Sequence, residues 1–78
     1  MRAKTLQLLV TFSTTVQAMA FEQAAQEEGL PGRLIPVPKV ITAGCGLAYK
    51  APPEVRRAVE ALLRQRRCAI EGIWELEL

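Results

Sequence analysis

No histidine occurs in the 78 residues of this chain. A Ser-His-Asp triad, a Cys-His nucleophile pair and a histidine general base are therefore excluded for the isolated chain. Two cysteines are too few for a disulfide framework, and without histidine they cannot make an ordinary zinc site. No motif calls for a metal or a cofactor. Aromatic residues are equally scarce, at one tryptophan, one tyrosine and two phenylalanines. A formal net charge of +2 is too small to argue nucleic-acid binding by itself. No segment is long enough to span a membrane. Chemistry here is left to thiol, carboxylate, hydroxyl, Tyr49, lysine and arginine.

What is present fits one small α+β domain over residues 1–78, with a small core. The N-terminus imitates a secretory leader: Arg2 and Lys4 precede Leu6-Gln7-Leu8-Leu9-Val10, and Ala18-Met19-Ala20 resembles a cleavage site. Gln7, Thr11, Ser13, Thr14 and Thr15 interrupt the apolar stretch, and cleavage would remove the first strand. The expectation is an intact cytoplasmic protein.

Leu6, Leu8, Val10 and Phe12 alternate as in a strand. Thr14 and Gln17 fit a capping box for a helix over Val16 to Glu28, and Gly29 is a left-handed stop. Arg33 to Pro38 is extended. Its two prolines lie two apart, so both missing amides face one way and the strand belongs at a sheet edge. A loop leads to a short strand from Leu47 to Lys50. Pro52-Pro53-Glu54 opens a second helix, where Val55, Ala58, Val59, Leu62 and Leu63 form the apolar stripe. Ile70 to Leu78 is the last strand. The order β-α-β-β-α-β predicts a ferredoxin-like two-layer sandwich with an antiparallel four-stranded sheet, the first and third strands central.

That topology gathers three junctions at one end: Ser13-Thr14-Thr15, the loop Thr42-Ala43-Gly44-Cys45-Gly46, and Arg66-Arg67-Cys68. Flanking glycines free the backbone at Cys45 for tight turns and close approach. A helix N-terminus and an arginine nearby favour thiolate over thiol, and Ser13 or Thr14 can donate to a sulfur anion or a small oxyanion. Cys45 is thus the candidate reactive residue, with Ser13, Thr14, Gly44, Gly46, Arg66 and Arg67 as candidate binding residues. Each has a plainer reading. Gly44 and Gly46 can simply shape a hairpin over a tucked Cys45, Ser13 and Thr14 can be caps, and the arginines can complement a helix C-terminus. Cys68 reads as a buried small residue or as a resolving thiol for Cys45. Tyr49 and Trp74 are too few to make an RNA-stacking sheet, so no nucleic-acid partner is expected.

Thr11-Phe12-Ser13-Thr14, Arg33-Leu34-Ile35-Pro36-Val37-Pro38, Gly44-Cys45-Gly46-Leu47-Ala48 and Glu71-Gly72-Ile73, in that order, resemble short bacterial selenium/sulfur carrier-like proteins. Members often have serine near Ala43 or Gly44, so this loop departs slightly and offers fewer hydrogen bonds. The resemblance implies a cysteine bearing a persulfide or selenopersulfide, and only Cys45 matches that role. It implies a cysteine desulfurase-type donor, a sulfur- or selenium-using acceptor enzyme, and an accessory carrier instead of a self-sufficient enzyme. Two other readings stay open: an anion- or metabolite-binding regulatory module with Cys45 structural, and a Cys45–Cys68 redox switch. Edge strands and a small core leave room for a homodimer.

Overall fold

The computed structural model describes residues 5–41 and 46–78. Its elements are β1 (Leu6–Phe12), α1 (Thr15–Glu27), β2 (Arg33–Pro36), β3 (Leu47–Ala51), a single 3-10 turn (Pro53–Val55), α2 (Arg56–Gln65) and β4 (Ile70–Glu77). The sheet order is β2-β3-β1-β4, antiparallel at every pairing. The expected β-α-β-β-α-β fold with β1 and β3 central is the one found.

Each boundary has a local cause. Thr14 is extended, and its hydroxyl accepts the Gln17 amide at 3.1 Å to start α1. Gly29, at φ +74°, ends it, with Leu30 N–H donating to Ala25 and Gly29 N–H to Gln26. The same pair of bonds ends α2, from Cys68 N–H to Leu63 and from Arg67 N–H to Arg64. There the left-handed residue is Arg67, at φ +52°. The two prolines before α2 give a 3-10 turn first, so the α-helix starts at Arg56, without a side-chain cap.

One face of the sheet is covered by both helices. Leu8, Val10 and Phe12 of β1 and Tyr49 of β3 pack there against Phe21, Ala18 and Ala25 of α1 and Val59, Leu62 and Leu63 of α2. The Phe21 ring meets Tyr49 edge-on at 5.0 Å and Phe12 at 5.6 Å. Ala58, expected on the apolar stripe, is exposed. Tyr49 is wholly buried beneath the helices, its hydroxyl donating to the Pro31 carbonyl at 3.0 Å. It therefore offers no stacking surface. Burial, then the Glu22 carboxylate, pushes its phenol above the usual tyrosine range.

The other face carries Leu9, Thr11, Ala48, Trp74 and Leu76, following the strand register. The Trp74 indole N–H donates to the Thr11 hydroxyl at 3.2 Å, and a Cβ on Gly72 would stand 3.0 Å from the same ring. Glycine at 72 therefore leaves room for the indole to reach the Thr11 hydroxyl.

The proline strand is an edge, as its amides require. Val37 N–H points inward to Gly46 C=O at 3.0 Å, whereas Leu34 N–H points outward and donates to the Glu22 carboxylate at 3.0 Å. Period two puts positions 36 and 38 on Leu34's side, and both are proline. A carboxylate and two prolines thus silence the donors along this edge.

Candidate functional site

Strand register shows which junctions meet. Thr11 pairs with Ala48, Phe12 with Ile70, and Pro36 with Leu47. The end of β1, the base of the β2–β3 connection and the α2–β4 turn therefore share one end of the sheet. Ser13 N–H donates to Ala69 C=O at 3.4 Å, and Ala69 N–H donates to the Gln17 side-chain oxygen at 3.5 Å. Gln17 was expected to complete a capping box. Its side chain instead reaches across to the start of β4.

The described flanks of the β2–β3 connection are pinned. Val37 N–H to Gly46 C=O closes the hairpin base, and Ile41 N–H donates to Pro38 C=O at 3.0 Å in a tight turn. Ile41 is only 6% exposed, buried with Leu9 and Ala48 on the helix-free face. Nothing in its local pattern announced that burial. Gly46 has φ +76°, a left-handed conformation that favours glycine, with open space where a Cβ would stand. Gly44 and Cys45 lie outside the described residues.

Of the candidate binding residues, Ser13 and Thr14 are exposed at the start of α1, and the Thr14 hydroxyl is engaged as the cap. Arg66 forms the α2 cap, and its guanidinium lies 3.6 Å from Glu27, the last residue of α1. That side chain is directed along the helical layer, away from Ser13 and Thr14. Arg67 is exposed.

Cys68 is half-buried against the helix-side core and shares a cavity of about 200 Å³ with Gln17, Ala20, Phe21, Ala24 and Arg66. Burial pushes its thiol above the usual cysteine value, partly offset by the Arg66 charge. It stays protonated at neutral pH and packs as a small apolar residue. Among the described residues no group of side chains could hold a metal ion, and no helix is long and apolar enough to cross a membrane.

A protein family described as "Putative Se/S carrier protein-like" matches residues 7–75. No curated protein and no solved structure matches the chain.

Proposed function

Because this chain belongs to the selenium/sulfur carrier-like family, we propose that it carries a sulfur or selenium atom on Cys45 and passes it between enzymes. The observation that supports this most is a cysteine between two glycines inside the matched span, followed by a residue held in a left-handed conformation. Cys68, the alternative thiol, is half-buried and kept protonated.

The transfer is a thiol exchange with no net redox change. The Cys45 thiolate attacks the outer sulfur of a donor persulfide, R–S–SH. A new S–S bond forms at Cys45, the donor S–S bond breaks, and R–S⁻ leaves as thiolate. Cys45–S–SH then repeats the step toward an acceptor, and a selenopersulfide follows the same course. The step needs a thiolate but no general base, which suits a chain without histidine. The first turn of α1 brings its partial positive charge to the same end and favours that anion. The donor is a cysteine desulfurase-type enzyme, the acceptor an enzyme that consumes sulfur or selenium, and this chain the accessory between them.

Cyanolysis tests the reading. After anaerobic loading, cyanide should release one thiocyanate per chain from wild type and Cys68→Ser, and none from Cys45→Ser. Release from Cys45→Ser would sink the proposal. Loss in Cys68→Ser alone would favour a redox pair.

A further inference from the structure

We infer that the end of the sheet carrying the β2–β3 connection is a docking surface for an acidic face of the sulfur-delivering enzyme, with Arg67 at its centre. This rests on the Cys45 reading and adds the partner's chemistry to it.

Charge differs between the two ends among the described residues. At this end junction residues 13–15, 37–41, 46 and 65–70 include Lys39, Arg66 and Arg67 and no acid, bordered by Arg64 and Glu71, and Arg66 is paired with Glu27. At the other end, junction residues 28–32 and 52–55 include Glu28 and Glu54 and no cation, bordered by Glu27, Arg33 and Arg56, the last paired with Glu60 and Glu75. Such a division orients an approaching charged partner and speeds its encounter.

Exposed apolar side chains fall at the same end. Val40, in the turn before Ile41, is 79% exposed, and Val16, in the first turn of α1, is 75% exposed. They are the two most exposed large apolar residues of the described chain. Apolar contacts among cations form the composition of a transient protein interface.

Arg67 joins these observations. Its backbone sits at φ +52°, in the position that α1 fills with Gly29. A glycine would end α2 with less strain. Complementing the helix dipole does not require the charge at this position, because Arg64 already supplies it in the last turn. An arginine held there against its backbone preference, exposed and at the basic end, is positioned for use.

The test compares two sulfur donors on the whole protein: a cysteine desulfurase with cysteine, and glutathione persulfide. Arg67→Gly removes the charge while relieving the backbone, so a slower variant is not a misfolded one. Arg57→Ala, near the start of α2, is the control. The ratio of desulfurase-driven to persulfide-driven loading should fall about tenfold in Arg67→Gly and hold in Arg57→Ala, with high salt erasing the difference. An unchanged ratio overturns the inference, as does equal slowing with both donors, which would place the charge on the thiolate. So does a wild type that the persulfide loads and the desulfurase does not. Arg67-dependent self-association or capture of single-stranded RNA, with the donor ratio unchanged, would assign this end to a second copy or to nucleic acid. No adduct from either donor would instead defeat the Cys45 reading, and this inference with it.

Discussion

The β2–β3 connection and the α2–β4 turn start from the same end of the sheet, and each contains one cysteine. In the α2–β4 turn the backbone is closed by hydrogen bonds from Arg67 and Cys68 back into α2, and Cys68 packs against the helix-side core. Its backbone N–H completes the helix stop, and its side chain packs as a small apolar residue. In the β2–β3 connection the described flanks are anchored by other residues. Ile41 is buried on the helix-free face, and the Gly46 carbonyl is held by Val37. Among the described flanks, packing is assigned to an isoleucine and turning to a glycine. The proposed carrier role of Cys45 predicts that the two sulfurs differ in reactivity.

The sharpest way to break this contrast is alkylation. At pH 7, Cys45 should react with iodoacetamide on the order of a hundredfold faster than Cys68, which keeps its proton into alkaline solution. Peptide-resolved mass spectrometry reads both sites. Comparable rates would erase the distinction.

Next in size is Ile41→Ala. It should lower stability by about 2–4 kcal/mol in urea unfolding, because a buried side chain leaves a cavity over Leu9 and Ala48. A surface loop residue would cost a few tenths.

Gly46→Ala and Arg67→Gly are mirror tests of backbone strain. The first should cost about 1 kcal/mol through its left-handed φ, with no clash, and the second should gain about 1 kcal/mol. Smallest is a pH effect. The Cys68 pKa is raised by folding, so the folded state holds its proton longer than the unfolded chain. Its contribution is fully present below the unfolded pKa, near 8.5, and is lost as pH rises through the folded value. Denaturant midpoints above pH 9 should therefore fall less in Cys68→Ala than in wild type.

Much of this was legible in the sequence because its causes are local. The two prolines fixed an edge strand by what they lack. Gly29 announced its stop, and the order of elements placed the three junctions together. Most of the missed features are long-range. Gln17 looked like half of a capping box, but its partner is Ala69, 52 residues away. Ile41 carries no periodicity because it packs from a turn onto a sheet face. Ala58 fell on the helical stripe yet faces out, into a groove shared with Ala61 and Glu28, the cap of α1. Arg67 gave no sign of its left-handed backbone, since the usual glycine is absent. The candidate site was legible as a cluster of junctions. The direction of Arg66 toward Glu27 was not, because it depends on how α2 lies across α1.

The central claim is that Cys45 carries the chalcogen. Intact-protein mass spectrometry after anaerobic incubation with a cysteine desulfurase and cysteine tests it most directly. Wild type should gain a single sulfur, removed by reductant, and Cys45→Ser should gain none. A reductant-labile sulfur retained by Cys45→Ser, or a wild type that never gains one, would contradict the account.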